Sequence, residues 1–386
     1  MATSTPTSTR DVRSALLAWF AAHRRDLPWR RARDPYAVLL SEVMLQQTRV
    51  ETVIPYYERF LGRFPTLRDL AAADLDRVLE AWSGLGYYRR ARSLWLGARE
   101  VVERFGGALP RTRAELESLP GIGPYSAGAI ASIAYGQEEA LVDGNVARVF
   151  SRLYAIDAQI GSRESVERCW AIARELVRGD APGTLNEALM ELGATVCTPK
   201  APRCDACPVR ASCAALAAGR VSELPVPKSK RASPTVSVQA FVVSDGERVL
   251  LAKRPASGLF AGLWEPPMLE SEGRARRPEW LASIGAKPAR SRAERVQHAL
   301  THRTLDVRIS RFVAGEAPRA IPGYVDTCFE APSGGRALSA LALKVLGTRR
   351  EILPGARSSK TPEDEPRPPP RRDRAVGVVR PKRARG

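Results

Sequence analysis

The chain contains no apolar run that approaches the length of a membrane span. Its first residues, MATSTPTSTR, lack the hydrophobic core of a secretory signal. Neither membrane insertion nor export is expected, so the reading is an intracellular, cytoplasmic chain, nucleoid-associated if bacterial. Acidic residues are in deficit: 42 Asp and Glu face 60 Lys and Arg, a formal net charge of +18 over 386 residues. Nucleic acid is the natural polyanionic partner for that imbalance, with an anionic membrane surface second. Cysteines number only six. In a reducing compartment they are not expected to form disulfides, which turns attention to metal. What is present suits packed domains: 44% of residues are hydrophobic, and the length allows two or three domains.

The most structured signal is TRAELESLPGIGPYSAGAIASIAYGQEEALVDGNVARVFSR, from Thr112 to Arg152. Thr112 and Glu115 form a capping box that opens a short helix ending at Leu119. Pro120-Gly121-Ile122-Gly123 breaks it, and the two glycines allow a tight turn. Pro124 suits the first position of a second helix, whose small residues (Ser126, Ala127, Gly128, Ala129, Ala131) permit close packing. Free N–H groups at the start of that helix suit a phosphate, whatever the base sequence. An ordinary corner between two helices would look the same. Asp143, standing before the helical run Val146 to Leu153, has the place of an N-cap.

Around this stretch the chain reads as follows. Residues 1–9 are Ser/Thr/Pro-rich and expected to be disordered. An amphipathic helix covers Val12 to His23, and the loop RRDLPWRRARDPY packs arginines around Trp29. DPYAVLLSEVMLQQTRVETVIPYYERFL reads as a single helix opened by Asp34-Pro35, with Tyr36, Leu39, Leu40, Val43 and Met44 as its core stripe. Glu42 lies in that apolar neighbourhood, one turn before Gln46. Desolvation there would raise its pKa and suit it to proton donation; on the helix's wet edge it would be an ordinary glutamate. Three more helices follow, and GLGYYRRAR sets tyrosines beside arginines, a combination fit for stacking on bases or for a core tyrosine pair with a solvated basic face.

Cys197, Cys204, Cys207 and Cys213 form C-x6-C-x2-C-x5-C directly after a helix. Four thiolates so close hold either a [4Fe–4S] cluster or Zn²⁺, and spacing leaves both open. Cys169 and Cys328 stand outside the pattern. VSELPVPKSKRASP marks a linker, after which the hydrophobic period becomes two: VSVQAFVVSDGERVLLAKRP reads as a hairpin, with GLFAGLWEPPMLE and THRTLDVRISRFVAG adding strands. The tail from Arg349 carries no acid after Asp373 and reads as a disordered, DNA-attracting segment.

LPGIGPYSAGAI followed by VDGN resembles the helix-hairpin-helix and Gly/Pro-Asp loop of the DNA glycosylase superfamily that includes endonuclease III. SEVMLQQT resembles the catalytic helix of adenine DNA glycosylases of the MutY type. The resemblance implies a multidomain protein, α then α+β: an all-α helix-hairpin-helix glycosylase domain (10–216) with a [4Fe–4S] loop (197–213), a linker (217–234), a MutT/Nudix-like α/β sandwich (235–348) and a tail (349–386). The four cysteines would ligate [4Fe–4S]. No Nudix acidic box is present, only SEGRARRPEWLASIG, so the second domain would be a reader and not a pyrophosphatase. Thr301 and His302 fall at the family's 8-oxoguanine-sensing loop.

The implied activity is removal of adenine opposite 8-oxoguanine, or guanine, in double-stranded DNA by a monomer. Glu42 would protonate adenine at N7 and handle the water; Asp143 would stabilise the sugar cation, a covalent intermediate being one form of that, with retention. Asn145 would orient Asp143 or the water. Arg25, Trp29 and Glu187 would line the adenine pocket, while Gln47 and Tyr87 act as wedges in the stack, with Thr48 and the hairpin glycines Gly121 and Gly123 also on the DNA. Tyr125 stands where endonuclease III carries its attacking lysine. A phenol forms no Schiff base, so base removal without strand cleavage is implied; Ala147, where some relatives have lysine, agrees. Against this stand a pyrimidine-damage glycosylase with lyase activity, an iron–sulfur DNA-binding protein without catalysis, and nucleotide hydrolysis by the second domain.

Overall fold

The computed structural model describes residues 8–228, 233–271, 277–290, 294–331 and 335–347. The expectations for residues 1–7 and the tail from 348 onward lie outside them. Ser8 and Thr9, expected in a disordered terminus, instead cap and open α1 (Thr9–His23), the Ser8 hydroxyl accepting from Asp11 N–H at 3.2 Å. Val12, Leu16 and Phe20 face inward from it.

The single helix expected from Asp34 to Leu61 is two: α2 (Pro35–Leu45) and α3 (Val50–Arg63). The interruption is Gln46 to Arg49, where Gln47 takes a left-handed φ of 57°. Nothing in residue type signals the break, because Gln and Thr are tolerated in helices. Its cause is tertiary, a half-buried Arg90 that collects the carbonyls α2 leaves open. Then come α4 (Leu67–Ala72), α5 (Leu75–Ala81) and α6 (Arg89–Phe105).

The hairpin follows as α7 (Arg113–Glu117) and α8 (Pro124–Ala129), α8 continuing into one π turn at Ile130–Ala134. Thr112 Oγ1 accepts from Glu115 N–H and donates to its carboxylate at 2.6 Å. Gly121 has φ 81°, and a Cβ there would fall 2.5 Å from Ser93 Cβ, so only glycine lets the turn lie against α6. α9 (Gly144–Leu153), α10 (Arg163–Leu176), α11 (Pro182–Thr195) and the short α12 (Ala214–Ala217) complete one continuous helical core. Beyond α12, the first part of the expected linker is strapped to this domain. Leu224 is buried, its carbonyl takes Arg152 Nε at 2.8 Å, and Ile160 N–H donates to Val226 O at 2.9 Å.

The second domain is a mixed sheet between two helices. β1 (Thr235–Ser244) runs antiparallel to β2 (Val249–Lys253) and parallel to β7 (Thr304–Val313). β3 (Trp264–Glu265) and β8 (Asp326–Glu330) pair with β2, β4 (Met268–Glu270) with β1, and β5 (Lys287–Pro288) and β6 (Glu294–Ala299) with β7. Alternate residues of β1 serve opposite faces. Val238, Ala240 and Val242 pack towards α14 (Ala340–Leu346), while Phe241 and Val243 pack towards α13 (Glu279–Ser283). Both faces are covered from Val238 onward, so the alternation of its first residues gives way to the apolar run 240–243.

The two domains share buried surface. Leu263 and Ala337 belong to the helical core, and Tyr88 OH donates to Leu338 O. Arg92 donates to Ala256 O at 2.8 Å and Ala261 O at 3.0 Å, and Lys253 pairs with Asp76 at 2.6 Å.

Candidate active site

Between α2, α9 and α11 lies a cleft of about 940 Å³ whose walls include Arg25, Trp29, Glu42, Gln47, Thr48, Tyr125, Asp143, Asn145 and Glu187. Nine residues singled out from the sequence thus meet around one space. Glu42 projects from the middle of α2 and is 5% exposed. Burial is the main reason its pKa rises to about 7, and the nearby charges of Asp143 and Glu187 push the same way. The Tyr125 hydroxyl, itself deeply buried, donates to Glu42 Oε2 and opposes that rise, and it also lies 3.3 Å from Met190 Sδ.

Asp143 has both of its candidate roles available in one geometry. It is the N-cap of α9, with Oδ1 accepting from Val146 N–H at 2.7 Å, while Oδ2 accepts from Asn145 Nδ2 at 2.9 Å. Burial raises its pKa, opposed first by those hydrogen bonds. The positive end of α9 and the cap donors favour the anion. Asn145 Oδ1 in turn accepts from Arg148 Nη2 at 2.8 Å, and Arg148 also donates to the carbonyls of Gly193 and Cys197, both at 2.8 Å. A Cβ on Gly193 would stand 2.6 Å from Asn145 Cβ, so glycine sets the spacing between α11 and α9 at this point.

The floor of the cleft holds an ion network that the sequence reading missed. Glu191, 1% exposed, accepts from Arg25 Nε at 2.7 Å and from Arg30 Nη2 at 3.0 Å, and Arg30 Nε also reaches Glu187 at 3.1 Å. Burial raises Glu187 despite its arginines. Glu191 is held below the ordinary carboxylate value because the hydrogen bonds of two guanidiniums outweigh its burial. Arg25 therefore lines the cleft with its guanidinium engaged by Glu191. The signal for Glu191 was its place four residues after Glu187 on one helix; Arg30 was hidden among the loop's other arginines. Trp29 stacks edge-on against Tyr57 and is nearly buried.

A second groove of about 390 Å³ shares Gln46 and Gln47 with the cleft, and Tyr87, Arg89, Arg90 and Gly121 also line it. Gln47 and Tyr87 are exposed at its rim. Gly123, the N-cap of α8, is exposed on the same hairpin but lines neither space. Thr301 and His302 do not line the cleft. They form the exposed turn between β6 and β7, closed by Leu300 N–H donating to Arg303 O at 2.8 Å.

The four patterned cysteines surround one small pocket with Val196, Leu216 and Val221. Burial pushes the Cys207 thiol up to about 11, and the other three sulfurs add to that. Arg152 Nη1 lies 3.4 Å from Cys197 Sγ. Among the described residues no three His, Cys, Asp or Glu side chains converge closely enough for a single metal ion. Lys200, Arg203 and Arg210 are exposed around the loop. Cys169 is buried and Cys328 half-buried.

Residues 40–175 match the family described as HhH-GPD superfamily base excision DNA repair protein, and residues 239–336 match the NUDIX domain. The chain is 40% identical over 375 residues to the adenine DNA glycosylase of Rattus norvegicus, covering 81% of this chain and 72% of that protein. With the adenine DNA glycosylase of Homo sapiens the identity is 44% over 314 residues, covering 67% of this chain and 58% of that protein. A solved structure of a thermostable thymine-DNA glycosylase aligns with a TM-score of 0.48 at 30% identity, over 53% of this chain and 95% of that one.

Proposed function

The chain belongs to the adenine DNA glycosylases of the HhH-GPD superfamily, and on that premise we propose that it removes adenine opposite 8-oxoguanine, or guanine, from duplex DNA without cutting the strand. One observation carries this reading: Glu42 and Asp143, supplied by separate helices, face one cleft and feel each other's charge. Adenine leaves poorly as an anion, so the bond needs an acid for the base and an anion for the oxocarbenium-like sugar. The base must first leave the stack, where its glycosidic bond is shielded.

Glu42, with a pKa of about 7, holds its proton on a good share of molecules at neutral pH and still transfers it readily. Tyr125 occupies Oε2, which leaves the other carboxyl oxygen to carry the proton to N7. The two N–H donors on its oxygens favour the anion of Asp143 against its burial, and it faces the sugar. Arg30, Glu187 and Glu191 supply a fixed polar floor for the base. Neither Tyr125 nor Ala147 offers an amine to the sugar, so no imine forms and the strand stays whole. Gln47 and Tyr87 fill the gap in the stack, with Thr48, Gly121 and Gly123 beside them on the DNA, and Thr301 and His302 on the β6–β7 turn read the opposite base.

Cys197, Cys204, Cys207 and Cys213 would hold a [4Fe–4S] cluster. The four thiols line one pocket, and a cubane offers one iron to each thiolate. The group supplies a cross-link for the loop and takes no part in the steps above. Iron and acid-labile sulfide with visible absorption are expected; a colourless protein with one zinc would contradict the assignment.

Single-turnover assays on duplexes with adenine opposite 8-oxoguanine, guanine and thymine test the activity. Release from the first two, with strands cut only after alkali, is expected. Strand scission by the protein alone, or equal release opposite thymine, would contradict it.

A further inference from the structure

Gln47 and Tyr87, which line the groove beside the cleft and stand exposed at its rim, both have left-handed backbones, with φ of 57° and 49°. Two long side chains in that region, on two separate loops, persist only where the surroundings hold them. What lies beneath both loops is one guanidinium. Arg90 Nη1 donates to Val43 O and Met44 O at 2.8 Å and to Gln46 O at 2.7 Å, the open carbonyls at the end of α2. Its Nη2 donates to Thr48 Oγ1 and Gly86 O, both at 3.1 Å. Gln46 and Thr48 bracket Gln47, and Gly86 precedes Tyr87. The Tyr87 and Trp82 rings each lie 5.4 Å from the charge.

We infer that Arg90 is a positioning residue: it locks the Gln46–Thr48 and Gly86–Tyr87 loops to each other and to the end of the catalytic helix, so that Gln47 and Tyr87 are presented to the stack as a preset pair. The inference rests on the proposed function for the wedge role of those two residues. The chemistry requires arginine. A planar fork with donors on two sides serves both loops at once, which a lysine ammonium does not. Burial lowers the Arg90 pKa to about 10, which still leaves the group charged at neutral pH, opposite the negative end of α2. Arg90 makes no hydrogen bond to either carboxyl of the cleft, and the two loops it holds carry the wedges, so its effect is read first on extrusion.

The test uses the full chain and a duplex with 2-aminopurine in place of the target adenine, whose fluorescence rises on unstacking. Arg90→Met is expected to abolish that rise and to slow adenine release on the order of 100-fold, the scale of a misplacement near 1 Å. Affinity for the duplex, read by anisotropy, is expected to stay at the wild-type value. Arg90→Lys is expected to fall between the two. A wild-type fluorescence rise in Arg90→Met overturns the inference, whether or not release is impaired, because the wedges would then be presented without it. If Arg90→Met fails to fold, Arg90→Lys decides: wild-type fluorescence and release overturn the claim, and a reduced rise with intact affinity supports it. Should the wild type release no adenine while its fluorescence rise still depends on Arg90, the proposed chemistry falls and the positioning role stands.

Discussion

At the scale of single residues, Glu42 has a raised pKa for a reason that was readable in SEVMLQQT: a carboxyl among Leu, Val and Met. Two measurements follow from the direction of that shift. Release needs Glu42 protonated and Asp143 ionised, so its rate is expected to fall about tenfold per pH unit above about pH 7 and to fall again in acid as Asp143 takes up its proton. Stability moves too. The unfolded chain titrates Glu42 near 4.5 and the folded chain near 7. Below the first value both states hold the proton; between the two only the folded state does, and once pH has risen through the second the folded state carries a buried charge, a total loss of roughly 3 kcal/mol. Glu42→Gln is therefore expected to melt above the wild type at pH 8, with the gain shrinking towards pH 5, by calorimetry on the full chain. A variant that melts lower at pH 8 would place the carboxyl in a better solvated site than α2 provides. Asp143 was legible as both cap and candidate catalyst, and its two oxygens are divided between those tasks.

At the scale of elements, the glycine hairpin, the Asp143 cap and the β1–β2 hairpin were legible because turn and cap chemistry is local. The break between α2 and α3 was not, since its cause sits some forty residues away in Arg90. The ion network of Arg25, Arg30 and Glu191 was hidden for the same reason: burial of a charge is a property of its partners. Strands β6 and β8 escaped notice because their side chains are largely half-buried or exposed and give no apolar period. Close approach between helices makes a prediction at this scale. Gly193→Ala would drive a methyl against Asn145 Cβ and push α9 from α11. The expected loss is about 1–3 kcal/mol of stability, with adenine release reduced further than the folded fraction accounts for, because Asp143 rides on α9. Equal losses in folding and release would mean that Asp143 does not depend on this spacing.

At the scale of the whole molecule, the excess of 18 positive charges predicts strongly salt-dependent binding to undamaged duplex. A fall of roughly a thousandfold or more between 50 and 200 mM salt corresponds to six or more phosphate contacts; a flat profile would remove the electrostatic footprint. Contacts between the domains are equally checkable. Arg92 bridges from α6 to Ala256 and Ala261 of the second domain, so Arg92→Ala is expected to speed amide exchange in the segment from 255 to 263 while α2 keeps its protection. The adenine-removing chemistry itself is tested most directly by single-turnover release from a duplex with adenine opposite 8-oxoguanine, comparing the wild type with Glu42→Gln at matched binding. Binding is expected to be undiminished and the rate lower by about 10²–10⁴-fold. Release by Glu42→Gln at the wild-type rate would contradict it.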